Sequence, residues 1–339
     1  TEVKIEKPKK AKKSTLHPDI QQFVKQIFEE AGRKLNQFVK GGANTDGASP
    51  LGKLSVRQIN KGRDLLQDIS NVINSKKIIT INDVLDLSNQ YYAYIPKAFG
   101  HRVTPEDIAI TTLDEIAEQM DILKFYEDSL RMGDIIYDTS NLDKQYESLK
   151  SEIGILPKTD EMYKYLVDYV RNTESHHHNV TLEVKRIFTV KQKNAPKFDD
   201  SVGNKRLLFH GTRSANMPGI LSSHLKLPTQ LKGVHITGAM FGPGIYFADN
   251  STKSSQYSCS RFGGTVNKYD TAFMFVSEVA LGKIYEIENS HYFLEPPKGY
   301  DSVKGVAGRS LLHNEYIIYK ENQHELKYII EFEPKRKRY

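Results

Sequence analysis

The stretch from Leu207 to Tyr257 constrains this chain most. It opens with Leu207-Leu208-Phe209, an apolar run that leads straight into the polar triplet His210-Gly211-Thr212. That pattern reads as a buried strand delivering an imidazole, a bare backbone and a hydroxyl to the edge of a cleft. Further on, Phe241-Gly242-Pro243-Gly244 precedes Ile245-Tyr246-Phe247-Ala248-Asp249, a tight turn feeding a second strand. Lys253, Ser254 and Tyr257 follow on a helix expected to start near Ser251. Brought together, the pieces make a small-molecule pocket with an aromatic wall and a few placed polar groups.

A chain of 339 residues suits about two domains. Part of its net charge of +6 sits in two basic runs, Lys7–Lys13 and Lys335–Arg338. Such runs are solvated tails, nuclear-import signals or phosphate contacts. Cys259 is the only cysteine, so no intrachain disulfide can form, which favours a reducing compartment. A lone thiol of this kind reads as packed rather than nucleophilic. No apolar run is long enough for a membrane span, and the start lacks the apolar core of a secretory signal. The sequons at Asn179 and Asn250 are then expected to stay unmodified.

The front half is helical in pattern. From Ser14, with Pro18 in the first turn, Ile20, Phe23, Val24, Ile27, Phe28, Ala31, Leu35, Phe38 and Val39 share one face until Gly41-Gly42. A polar loop runs from there to Pro50. Ser55 with Gln58, and Thr112 with Glu115, read as capping boxes opening further helices. Between them a helix over Ile81–Ile95 stops at Pro96. Shorter helices are expected over Leu142–Glu152 and Asp160–Asn172. After His178 the texture changes. Leu182–Val190, Leu207–Phe209, Ile245–Ala248, Ala272–Ala280, Tyr316–Tyr319 and Leu326–Phe332 read as strands, with helices only near Met217–Ser223 and after Ser251. The fold expected is α+β: a helical bundle over residues 14–178 behind a basic tail (1–13), then a mostly antiparallel β-rich domain over 179–339.

Several chemistries are disfavoured. Gly242-Pro243-Gly244 precedes a strand and lacks a third glycine, so it is no dinucleotide fingerprint. No P-loop occurs. His176-His177-His178 cannot easily converge on one metal and lacks paired cysteines or acids, so no metal is assigned and a solvated interdomain turn is expected. Taken singly, His210 reads as a packed histidine, Tyr246 and Tyr257 as core aromatics, and Glu315 as an edge charge. Their co-occurrence alters that reading.

Together these residues resemble the poly(ADP-ribose) polymerase family. His210-Gly211-Thr212 is similar to its His-Gly-Ser/Thr triplet, and Phe241–Asp249 to its Gly-x-Gly-Ile-Tyr-Phe-Ala motif, followed by Lys253-Ser254 and Tyr257. Glu278–Gly282, Lys298–Gly305 and Asn314-Glu315-Tyr316 resemble further family blocks. Pro50–Ser55, Leu85–Asn89, and Ile95-Pro96 with Phe99-Gly100 resemble the helical regulatory domain of its nuclear, DNA-damage-responsive branch. That branch's amino-terminal DNA-sensing modules have no counterpart here, as in a fragment or a short member.

The resemblance implies transfer of ADP-ribose from NAD, as substrate and without a metal, to protein side chains including its own or to a growing polymer. The alternatives are single-unit transfer, or binding of NAD or ADP-ribose without catalysis. Glu315 would bind the nicotinamide-ribose 2′-hydroxyl, oppose developing positive charge and polarise the acceptor. Gly211 and Ser254 would grip the carboxamide, and Tyr246 and Tyr257 would sandwich the pyridinium ring. His210 would bind the adenosine ribose with Thr212 and Asn216 nearby, and Lys253 would lie by the acceptor. The helical part would gate the site, with Asp114 and Glu118 as candidates to face it. Damaged DNA and a nuclear location are implied as well. The branch usually has a lysine at Pro243, an aromatic at Ala239 and an arginine at Lys226, and a far longer loop than Val306–Leu312.

Overall fold

The computed structural model describes residues 13–41, 54–97, 99, 102–138, 140–229, 231, 240–259 and 269–337. The basic run before Lys13, the loop to Pro50, the Pro50–Lys53 block, Gly100, Ala239 and Arg338 lie outside the described residues, as do the side chains of Phe38 and Val39.

The front half holds α1 (Pro18–Gly41), α2 (Val56–Ser75), α3 (Ile81–Tyr94), α4 (Pro105–Ile108), α5 (Leu113–Met132) and α6 (Leu142–Ser148). Their starts follow local chemistry. Ser55 caps α2 by accepting from the Gln58 N–H at 3.2 Å, while its hydroxyl donates to Gln58 Oε1 at 2.9 Å. Thr112 and Glu115 form a reciprocal capping box at α5, as do Thr80 and Asp83 at α3. The short α4 was not anticipated; four residues are too few to carry a helical period. α6 ends at Ser148, earlier than expected, because Lys150 adopts φ +49° and the chain turns into β1 (Ser151–Ile155).

The second half continues with α7 (Glu161–Asn172), β2 (Val180–Gln192), β3 (Lys205–Gly211), α8 (Met217–Ser222), β4 (Ile245–Phe247) and α9 (Ser251–Ser258). It closes with β5 (Ala272–Ala280), β6 (Ile284–Ile287), β7 (Ser302–Gly305), β8 (Glu315–Ile318) and β9 (His324–Arg336). One sheet is antiparallel in the order β1-β2-β9-β5-β3; the other runs β4-β8-β7-β6, with only β6 and β7 parallel. The α+β architecture is therefore as expected. β1, β6 and β7 escape sequence reading because they are short and mixed in polarity, and only their partners select the extended form. The sheets meet where Phe209 and Ala248 exchange backbone hydrogen bonds at 2.8 and 2.9 Å.

Both faces of the five-stranded sheet are covered, which explains the apolar run Ala272–Val276 in β5. On one face α1 packs Phe23 against Phe188 and Phe273, each at a 5.0 Å ring separation. On the other, Leu166 and Val170 of α7 share a core with Phe209, Met274 and Phe332. Polar contacts reinforce the α1 seam. Arg186 pairs with the buried Glu331 at 2.6 Å and with Asp19 at 2.7 Å, and Gln26 donates to the Thr271 carbonyl at 3.1 Å. One apolar cluster thus runs from the helical bundle into the sheet.

The turn at residues 176–178 is not wholly solvated. His178 is half-buried against α9, with Nδ1 2.8 Å from Thr252 Oγ1 and Nε2 2.9 Å from Gln256 Nε2. The periodicity of the chain before it cannot reveal such a contact.

Candidate active site

Three strands carry His210, Tyr246 and Glu315. His210 lies in β3, two residues from Leu208 and one from the junction at Phe209. Its ring reaches across that junction, with Nδ1 2.8 Å from the Tyr246 carbonyl oxygen. A carbonyl only accepts, so Nδ1 carries the proton and Nε2 is the acceptor available to a ligand. Burial lowers the His210 imidazolium to about 4, more strongly than the Tyr246 carbonyl raises it, so the ring is neutral near pH 7.

Tyr246 sits in β4, opposite Ile317 of β8. Its hydroxyl donates to the Gly242 carbonyl at 2.7 Å and accepts from the Phe241 N–H at 3.0 Å. The ring is therefore fixed by the turn before it. That turn needs glycine: Gly242 has φ +90°, and a Cβ there would sit 1.8 Å from the Phe293 carbonyl oxygen.

Glu315 is the first residue of β8, and its Oε1 lies 2.6 Å from Lys253 Nζ. Lys253 stands in the first turn of α9, which Asn250 caps by accepting from the Lys253 N–H at 2.8 Å. The lysine also donates to the carbonyls of His313 and Asn314 at 3.4 Å. Burial pulls its ammonium below the usual lysine range while Glu315 opposes that shift.

Gly211 follows His210, and α9 crosses it closely. A Cβ at Gly211 would lie 1.8 Å from the Ser254 carbonyl oxygen and 3.1 Å from Tyr257 Cβ. Ser254 is buried, whereas Tyr257 is 53% exposed and forms an open wall. Thr212 is buried and accepts from Asn216 Nδ2 at 3.4 Å. The structure thus assembles all nine predicted residues around β3, β4, α9 and the start of β8.

Sequence reading missed the helical wall. Lys34 of α1 donates to Asn216 Oδ1 at 3.2 Å and lies 4.0 Å from the Phe125 ring centroid. Burial, with the Arg213 guanidinium, lowers Lys34 to about 8. Arg131 of α5 donates to Ser222 Oγ and to the Gly219 carbonyl, both at 3.1 Å. Asp114 and Glu118 are exposed, and Asp128 and Arg131 of α5 meet α8. One-helix periodicity marks a buried face but not its partner. Asp249 closes the Phe241–Asp249 motif, and its Oδ2 accepts from Asn314 Nδ2 and Tyr316 Oη, both at 3.0 Å. Among the described residues no group of three metal-ligating side chains converges, and no helix is long and apolar enough to cross a membrane.

Comparison with known proteins identifies the family. Residues 14–152 match the poly(ADP-ribose) polymerase regulatory domain, and residues 160–309 match the poly(ADP-ribose) polymerase catalytic domain. The catalytic match contains His210, Tyr246, Ser254 and Tyr257 and stops short of Glu315. Poly [ADP-ribose] polymerase 1 of Gallus gallus is 31% identical over 354 residues, covering 94% of this chain and 34% of the relative. Poly [ADP-ribose] polymerase of Drosophila melanogaster is 32% identical over 370 residues, covering 94% and 35%. That of Sarcophaga peregrina is 33% identical over 318 residues, covering 83% and 31%. The chain therefore spans about a third of the length of the curated relatives it matches. With regulatory and catalytic parts both matched, in that order and over most of its length, the chain belongs to the poly(ADP-ribose) polymerase family.

Proposed function

We propose that the chain transfers ADP-ribose from NAD to protein side chains, its own included, and to growing poly(ADP-ribose), releasing nicotinamide. The observation that carries this reading is the linkage of His210, Tyr246 and Glu315 through paired strands. His210 Nδ1 is held by the Tyr246 carbonyl, and Tyr246 lies in the strand that pairs with the one opened by Glu315.

The reaction breaks the bond between the nicotinamide nitrogen and the ribose C1′. Nicotinamide leaves as a neutral base with the bonding electron pair, so no strong general acid is needed. Positive charge develops on the ribose, as in glycoside cleavage. The Glu315 carboxylate opposes that charge and holds the 2′-hydroxyl. The acceptor oxygen or nitrogen then bonds to C1′ and gives up its proton to Glu315 or to water. Tyr246 and Tyr257 flank the pyridinium ring, whose charge favours an aromatic face. The Gly211 backbone and Ser254 hold the carboxamide. His210 offers neutral Nε2 to the adenosine ribose, beside Thr212 and Asn216. No metal takes part.

The helical part restrains the site. What supports this is the contact of Lys34 with Asn216, a residue on the adenosine side. We place the reaction in the nucleus, in the response to DNA damage, with DNA recognised outside the helical and catalytic parts. The resemblance of the helical part to the DNA-damage-responsive branch supports that placement. Single-unit transfer is the second reading, and the departures from the branch at Pro243 and in the short connection before Glu315 bear on it. Incubation with NAD, with and without nicked DNA, followed by mass spectrometry tests both. Nicotinamide release with ladders of ADP-ribose units supports polymer synthesis, and single mass additions support single transfer. No release and no addition in either condition rejects the transferase.

A further inference from the structure

We infer that Asp249 is a positioning residue for Glu315: one carboxylate oxygen holds both chain neighbours of Glu315 and so sets where the Glu315 side chain points. Oδ2 of Asp249 accepts from Asn314 Nδ2 and from Tyr316 Oη, each at 3.0 Å. Along an extended chain, the residues before and after a given one project to the opposite face. Asp249 therefore works from behind the strand, while Lys253 meets the Glu315 carboxylate itself.

Each arm of the bracket is anchored again. Asn314 Oδ1 accepts from the Ala307 N–H at 2.9 Å, which closes the connection between β7 and β8. The Tyr316 hydroxyl has one proton, given to Asp249, so it accepts from Arg206 Nη1 at 3.3 Å. Tyr316 is 2% exposed, and burial with the Asp249 carboxylate pushes its hydroxyl up to about 12.

The division of labour within β8 makes this more than strand stability. Ile317 and Ile318 are fully buried and paired with β4, so the core holds the far end of the strand. Glu315 is at the near end, where β7 supplies its partner Gly305 and the chain emerges from a loop. Beside that β7 pairing, the Asp249 bracket and the Lys253 contacts fix this end against the loop. A misplacement of about 1 Å at a reacting group costs roughly 10²-fold in rate. Asp249 stands between Tyr246 and Lys253 in sequence, so one short segment supplies a wall, the bracket and the ion-pair partner.

The catalytic consequence rests on the transferase reading above; the positioning itself does not. The test uses the full chain with Asp249→Ala, Asp249→Asn and Asn314→Ala. Hydrogen exchange of the amides of residues 313–316 is expected to accelerate at least about tenfold in Asp249→Ala, with Ile317 and Ile318 unchanged. The kcat for nicotinamide release is expected to fall about 10- to 100-fold, with KM and benzamide affinity within about twofold. Asp249→Asn keeps the shape and one acceptor and should fall between; should the alanine variant fail to fold, this one carries both readouts. The double variant with Asn314→Ala should be no slower than Asp249→Ala alone, because both act through one bracket. Unchanged exchange at 313–316 overturns the positioning, whatever the enzyme does. So does unchanged kcat in an active background, or benzamide affinity that falls in step with kcat. A wild-type chain that releases no nicotinamide rejects the transferase instead, and the exchange result still decides the bracket.

Discussion

Lys253 Nζ stands 2.6 Å from Glu315 Oε1, with each side chain only 13% exposed. The pair ties the first turn of α9 to the first residue of β8, so the helix carrying Ser254 and Tyr257 is locked to the Glu315 carboxylate. Glu315→Gln keeps the size and one acceptor but removes the charge. Losing one preorganised electrostatic partner costs on the order of 10²–10³ in rate. Transfer is expected to fall by that factor while NAD or inhibitor affinity survives, since His210, Gly211, Tyr246 and Tyr257 remain. Elongation should suffer more than hydrolysis, because the next ribose hydroxyl must also be oriented. Affinity and product chain length, measured for both proteins, check this. A glutamine variant that still makes polymer at nearly the wild-type rate means that the carboxylate lies elsewhere.

Gly211→Ala puts a methyl group 1.8 Å from the Ser254 carbonyl oxygen, and backbone on both sides cannot yield cheaply. Overpacking of this kind costs about 1–3 kcal/mol or more. The variant is expected to melt lower and to lose benzamide binding by at least tenfold. Tyr257→Ala keeps the Cβ that faces Gly211 and removes only a half-exposed ring, so it should weaken the same inhibitors with little change in melting temperature. Thermal melts and inhibitor titration of the two variants separate packing from stacking.

Lys34→Ala tests the restraint by the helical part more cleanly than deletion. Removing everything up to about residue 178 would also take β1 and α7, whose Leu166 and Val170 belong to the sheet's core. A hydrogen bond from a charged group is worth about 1.5–3 kcal/mol. Freed Asn216 should lower the KM for NAD and raise DNA-independent turnover about 3- to 10-fold, after allowance for the partly exposed lysine. Turnover equal to wild type in a folded Lys34→Ala protein removes this contact from the gate.

His210 sets a pH signature. Its folded-state value of about 4 lies below the ordinary imidazole range, and the buried His324 is lowered to about 4 as well. The unfolded chain therefore takes up protons first as pH falls. Stability is full above about 6.5, the unfolded histidine value, and is lost progressively toward about 4. Melting temperature should drop across that window, and His210→Gln should flatten part of the drop. NAD affinity should show no step near pH 6.5, since the ring is already neutral there. A titration of binding centred near 6.5 that vanishes in His210→Gln overturns the neutral-ring assignment.

Local chemistry made much of this protein legible. Ser55 and Thr112 announce helix starts because caps satisfy their own backbone within three residues. The long strands β2, β5 and β9 declare themselves by sustained apolar composition. The candidate site residues were legible as motif pieces, Leu207–Thr212, Phe241–Asp249 and Asn314–Tyr316, because those pieces resemble the family's motifs. Tertiary structure alone decided the rest. β1, β6 and β7 are extended only because partners accept their hydrogen bonds. Lys253 meets Glu315 across 62 positions of sequence, Asp249 reaches Asn314 and Tyr316, and Lys34 crosses from α1 to Asn216. Such pairs have no period and no local signal. They exist because a shared core, running from Phe23 to Phe273, brings distant segments within hydrogen-bonding reach.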